Sequence, residues 1–117
     1  MRVNDSKAAR KQAAEDYKNR PRRRGVFAVR CTATGHVWVG ASPNLDAAQN
    51  GLWFTLRHGA NREASLQADW RDHGEETFRF DVLEELDEDV LPMLVGDLLK
   101  SRKLEWAARE GARTLLP

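Results

Sequence analysis

Four arginines crowd one short stretch, Asn19-Arg20-Pro21-Arg22-Arg23-Arg24-Gly25. A guanidinium is planar and donates two hydrogen bonds to one anion, so a run of them suits phosphate. A solubilising linker is the alternative the same residues allow. The charge along the chain is uneven: residues 1 to 30 hold ten Lys/Arg against three Asp/Glu, and residues 31 to 117 hold nine against fifteen, although the formal net charge is only +1. A basic arm on an acidic body points to nucleic-acid contact, or to pairing of the arm with the body's own carboxylates. Arg57, Asn61 and Arg62 form a second polar, basic group.

Other reactive residue types are sparse. Glu84, Glu85, Asp87, Glu88 and Asp89 cluster, and their expected place is the first turn of a following helix, where acids complement the helix dipole. His36, His58 and His73 are scattered without metal-ligand spacing, so no zinc centre is predicted and each reads as a surface or turn residue. Cys31 has no partner for an internal disulfide and reads as a small buried hydrophobe. Gly35 to Gly40 is not a phosphate loop, because the residues between the glycines are strand formers. No Ser, His and acid form a nucleophile signature.

The elements that must hold these groups are organised around Gly25 to Ser42. Val26 to Val29 and Val37 to Val39 are strand-forming runs separated by Thr32-Ala33-Thr34-Gly35, which predicts a β-hairpin. Phe27, Val29 and Cys31 share one face of the first strand, and Val26, Ala28 and Arg30 the other. Both faces are apolar, as expected of strands covered by helices on one side and lining a concave surface on the other. Ser42-Pro43-Asn44 opens a helix in which Leu45, Ala48, Leu52 and Leu56 recur until Gly59. Leu66 and Trp70 predict a second helix over Arg62 to Asp72, and the alternation of Phe78, Phe80 and Val82 predicts a third strand over Thr77 to Glu84. A last helix is expected from Glu88 to Arg109, with Pro92 tolerated near its first turn. Upstream, N-cap residue types at 4 to 6 and four alanines predict a short helix over Lys7 to Lys18, ended by Pro21.

Gly25-Val26-Phe27, then Trp38-Val39-Gly40, then Asn44 and a helix resembles the GIY-YIG nuclease domain with both signature tyrosines replaced. The resemblance extends through LQADWRDHG and the FRFDVLEEL strand. It implies a metal-dependent nuclease scaffold, in which one ion sits on a helical Glu, two tyrosines lie near the attacking water and an Arg projects from the first helix. At the matching positions stand Phe27, which lacks the hydroxyl, Trp38, which donates but cannot accept, and Ala48 in place of the Arg. Aligned on Trp106, the metal Glu position falls on Lys103, with Glu105 the nearest acid and Asp97 an ungapped alternative. No Asn follows Asn61.

The combined expectation is an α/β (α+β) domain with a small three-stranded antiparallel sheet flanked by helices. It divides into residues 1–24 as a basic helix and Arg-rich arm, 25–112 as the GIY-YIG-like domain and 113–117 as a C-terminal tail. The expected role is nucleic-acid binding, DNA in the first instance, through Arg20, Arg22, Arg23, Arg24, Arg57 and Arg62, with a degenerate endonuclease site at Phe27, Trp38 and Ala48. No cofactor is required for binding; Mg²⁺ or Mn²⁺ on Glu105 or Asp97 belongs to the alternative of an active, divergent endonuclease. A third reading is a protein-interaction module whose cleft holds an apolar peptide. No apolar run has the length of a membrane span, and a cytoplasmic location is expected.

Overall fold

The hairpin forms as the residues predict: β1 (Gly25–Cys31) and β2 (Val37–Ser42) pair antiparallel with Phe27 opposite Gly40 and Val29 opposite Trp38. A computed structural model describes residues 23–115. The expected helix over Lys7 to Lys18, Arg20, Arg22 and the last two residues lie outside the described range. The turn closes with the Gly35 amide donating to the Cys31 carbonyl at 2.8 Å. β3 (Phe78–Glu85) pairs antiparallel with the other edge of β1, placing Phe80 opposite Val29 and Phe78 opposite Cys31.

The sheet has four strands rather than three, in the order β3-β1-β2-β4. The additional strand, β4 (Arg113–Thr114), comes from the residues expected as a tail and runs parallel to β2. Two residues carry no readable alternation; the strand is fixed by its surroundings. Gly111, at φ 61°, supplies the left-handed turn that reverses the chain. The Leu115 amide then donates to the Val39 carbonyl at 2.7 Å, and the Lys103 ammonium donates to the Leu115 carbonyl at 2.9 Å.

Three helices cover the sheet. α1 (Leu45–Arg57) is capped by the Asn44 side chain, which accepts from the Ala47 amide at 3.1 Å. α2 (Ala64–His73) buries Leu66 and Trp70 one turn apart and stops at Gly74. α3 (Pro92–Glu110) starts later than expected. Pro92 has no amide hydrogen and a φ already suited to the first helical position, while Leu91 before it is extended. The acidic cluster consequently does not sit in the first turn of α3; Glu84 and Glu85 end β3, and the rest occupy the connection.

α1 and α2 pack on the face of Phe27, Val29, Cys31, Trp38 and Phe78, an aromatic core joined by Leu45, Leu56, Leu66 and Trp70. α3 covers the opposite face, where Val26, Ala28, Val39 and Ala107 make a core of small side chains extended by Leu86, Val95 and Leu99. Both faces are therefore helix-covered, and the concave surface opens at the edge of the α1 side. Cys31 is buried in that first core, as its strand position predicted.

Candidate functional site

The concave feature forms because two strand positions and one helix face all offer little bulk. A Cβ at Gly40 would come within 2.5 Å of Phe27 Cζ, so only glycine lets the Phe27 ring cross β2 at this point. The ring is held from behind by Phe80, stacked at 4.7 Å between centroids and 18° between planes, and Phe80 is braced edge-on by Trp53 at 6.0 Å. In front, α1 presents Ala47, Ala48 and Gly51. The result is a cleft of about 370 Å³ whose floor is Phe27, Gly40, Leu52 and Leu115.

One rim is polar. It comes from Thr55 near the end of α1 and from Asn61, Arg62 and Glu63 in the connection to α2. Asn61 organises the connection: its side-chain amide donates to Thr55 Oγ1 at 3.0 Å, its carbonyl oxygen accepts from the Glu63 amide at 2.9 Å, and its own amide donates to Gln67 Oε1 at 3.0 Å. Glu63 is then oriented from the core. The indole N–H of Trp38 donates to Ser65 Oγ at 2.9 Å, and the Ser65 hydroxyl donates to Glu63 Oε2 at 2.7 Å. Arg113 Nη1 stands 3.8 Å from the same oxygen. Arg62 is exposed and makes no ion pair with any of the described residues.

No protein-family model and no curated protein sequence matches this chain. Among solved structures it is similar to the catalytic domain of the homing endonuclease I-TevI, at a TM-score of 0.67 and 20% identity over 80% of this chain and 99% of that one. It is also similar to a mutant of the catalytic domain of the intron endonuclease I-TevI, at 0.65 and 21% over 76% and 84%. The fold is GIY-YIG-like. The expected resemblance thus holds at the level of architecture, with a four-stranded sheet in place of the expected three.

On this GIY-YIG-like scaffold the residues singled out from the sequence separate into two groups. Phe27 and Ala48 line the cleft, as do Asn61 and Arg62. Trp38 does not: it is 1% exposed, packs on Phe78 and reaches the cleft only through Ser65. Glu105 also lies elsewhere, its carboxylate taken by Arg102, whose Nε donates to Glu84 Oε1 at 2.8 Å. Asp97 borders a groove with Leu91, Leu94 and Leu98. From α3 the Lys103 ammonium donates to the carbonyl of cleft-lining Leu115, and Val95 and Leu99 pack behind cleft-lining Ala41. A divalent ion of the Mg²⁺ type needs oxygen ligands. With Lys103 at the edge and Glu105 and Asp97 outside, the cleft lining offers one carboxylate, Glu63, whose Oε2 is bonded to Ser65 and lies beside Arg113, which falls short of such a set. Among the described residues no three His, Cys, Asp or Glu side chains are arranged to hold a metal ion.

The basic candidates are also placed unequally. Arg23 donates to Glu85 at 2.9 Å and Asp46 at 3.2 Å; the hydrogen bond it makes to Glu85 is the main reason its guanidinium holds its proton more tightly than usual. Arg24 donates to the Asp87 and Val90 carbonyls at 2.6 and 3.4 Å. Arg57 grips both carboxylate oxygens of Glu75 at 2.9 and 2.7 Å, and that contact holds the Glu75 carboxyl below the usual carboxylate range. Pairing with the body's own carboxylates, one of the two readings of the arm, therefore describes Arg23. Glu63 and Ser65 are functional candidates that the sequence reading passed over; a Glu two residues before a Ser at a helix start is too common a pattern to signal a cleft.

A second polar cluster lies at the hairpin turn. His36 Nδ1 is 2.8 Å from Asp69 Oδ2, and the Thr34 hydroxyl donates to the same oxygen at 2.8 Å. Burial alone would raise the Asp69 carboxyl, but the bonds from His36 and Thr34 outweigh it and hold it below the usual carboxylate range.

Proposed function

We propose that this chain is a nucleic-acid-binding protein that uses a GIY-YIG-like scaffold to grip a strand without cutting it. The observation that supports this reading is the composition of the cleft. Where the resemblance places a hydroxyl, an arginine and a metal carboxylate stand the bare ring of Phe27, the methyl of Ala48 and the tethered ammonium of Lys103. Removing one charge-stabilising donor costs a nuclease about 3 kcal/mol of barrier, and groups that act as a unit fail together. Two features suit contact with phosphate: Arg62 on the cleft rim, and in the sequence the arginine run before β1, of which Arg23 already pairs with Glu85 and Asp46. Such contacts position a strand without reading it. DNA is the expected partner and a cytoplasmic location belongs to the same reading; no helix of the described residues is long and apolar enough to cross a membrane.

The test is a salt titration of binding to single-stranded and duplex DNA, followed by incubation of supercoiled and branched DNA with Mg²⁺ or Mn²⁺. Affinity is expected to fall with salt, with a log–log slope of about −0.7 per phosphate contact on a single strand, and to drop sharply when Arg20, Arg22, Arg23 and Arg24 are replaced by Ala. A flat titration ends the nucleic-acid reading. Metal-dependent nicking ends the non-cutting half, and nicking that persists in Glu105→Ala excludes Glu105 from it.

A further inference from the structure

Resting on the nucleic-acid reading, we propose that the cleft is a base pocket: it takes one unstacked guanine, and Glu63 reads that base's Watson–Crick edge. The floor is apolar, the 6% of Phe27 left exposed beside Phe80 together with small aliphatic groups, a narrow slot rather than a cradle for charge. Its volume, about 370 Å³, lies at the small end of ligand-sized cavities, enough for a base turned out of its stack and too little for a duplex.

The rim then decides which base. A carboxylate accepts hydrogen bonds and repels phosphate, so the group beside Glu63 must be a donor. Its Oε2 is committed to the Ser65 hydroxyl, and its Oε1 accepts no hydrogen bond from the described residues. The Ser65 bond, itself anchored by the buried indole of Trp38, sets the carboxylate's angle before any ligand arrives. Guanine presents two adjacent donors, N1–H and the N2 amino group, to one carboxylate. Cytosine and adenine each present a single amino group beside an acceptor, and thymine an imino group between two acceptors. Arg62, next to Glu63 and without an ion pair among the described residues, is placed to meet the phosphate of the same nucleotide. Trp38 and Ser65 act through Glu63 and are positioning residues.

The experiment compares a thymine decamer with decamers carrying one central guanine, adenine, cytosine or hypoxanthine, by fluorescence anisotropy at fixed salt. A two-bond pair is worth about 1–3 kcal/mol of discrimination, so guanine is expected to bind about tenfold more tightly than the thymine decamer. Hypoxanthine, which lacks the N2 amino group, should fall between. Both Glu63→Gln and Ala48→Leu, the latter filling the slot, are expected to erase the guanine advantage; melting curves establish that each variant folds, and either variant alone suffices. Competition by free guanosine as strong as by the guanine decamer assigns the pocket to a nucleoside, and competition by the decamer alone assigns it to a strand. Equal binding of all decamers overturns the base pocket while leaving the nucleic-acid reading intact. A guanine advantage that survives Glu63→Gln overturns the role of Glu63. No binding of any decamer overturns both proposals.

Discussion

The two faces of one sheet have been finished in different ways. Alternate residues of β1 and β2 point to opposite sides. On the α3 side the strands offer Val26, Ala28 and Val39, and a 19-residue helix lies close over them, anchored where Glu84 accepts from Arg102 and from the Trp106 indole at 2.8 Å. On the other side the strands offer Phe27 and Trp38, which two shorter helices cannot level. The larger ring is absorbed: Trp38 is surrounded and its one polar atom is satisfied. The smaller lies beside Gly40 and the alanines of α1, and there the surface stays open. A cleft here is the consequence of placing small residues next to a large one along the same face. The closed face holds the fold and the open face can acquire a ligand.

The heaviest blow to this contrast is Trp38→Ala. It removes the largest fully buried side chain among the described residues and the donor that orients Ser65, so it should destabilise the fold by about 3–5 kcal/mol, read as a shifted denaturant midpoint. Trp38→Phe separates the two effects. It keeps most of the packing and loses the indole N–H, leaving Ser65 with one fewer partner, for a loss of about 1–3 kcal/mol. If Trp38→Ala costs no more than Trp38→Phe, the ring is not the keystone of the α1 side.

Next in size is the response to acid, which touches both faces. Glu84 is held below its usual range, first by the hydrogen bond from Arg102 and then, against the opposing effect of burial, by Trp106; Asp69 is held low by His36 and Thr34. A carboxyl whose folded-state pKa is depressed adds stability above its unfolded pKa and loses it as pH falls through the folded value. Stability should therefore decline as pH drops below the ordinary carboxylate range. Asp69→Asn and Glu84→Gln should each flatten that decline, while lowering stability at neutral pH. A pH profile unchanged by both substitutions would contradict the assigned bonds.

Much of this architecture is legible in the residues. The hairpin, the Asn44 cap, the Leu66 and Trp70 pair and the Phe78 and Phe80 alternation report local preferences, and those elements formed where expected, although β2 runs three residues past Val39 and α3 starts four residues after Glu88. What could not be read is what distance in sequence creates. β4 owes its existence to the Val39 carbonyl rather than to any pattern in Arg113–Thr114. Arg23 meets Glu85 across 62 residues, so the arm's pairing is invisible in a charge count. Glu63 is placed by Asn61, which accepts from its amide, and by Ser65, which aims its carboxylate and is itself held by Trp38 in another element.

The finest distinction concerns two arginines that look equivalent in the sequence. Arg57 closes a two-point contact with Glu75, and Arg62 sits on the rim of the cleft with no carboxylate partner among the described residues. Both side chains are solvent-exposed, and exposed charges contribute little to folding. Neither Arg57→Ala nor Arg62→Ala should therefore move the melting curve beyond the repeatability of the measurement. Binding should tell them apart. A phosphate reaching Arg57 must displace a carboxylate already in a matched geometry, whereas one reaching Arg62 displaces only water and counterions. Arg62→Ala is thus expected to lower the steepness of the salt dependence on single-stranded DNA by about 0.7, the increment of one phosphate contact, with Arg57→Ala leaving it unchanged. The reverse result would move the strand's path from the open cleft to the outer end of α1, and the base pocket would lose the cation that serves it.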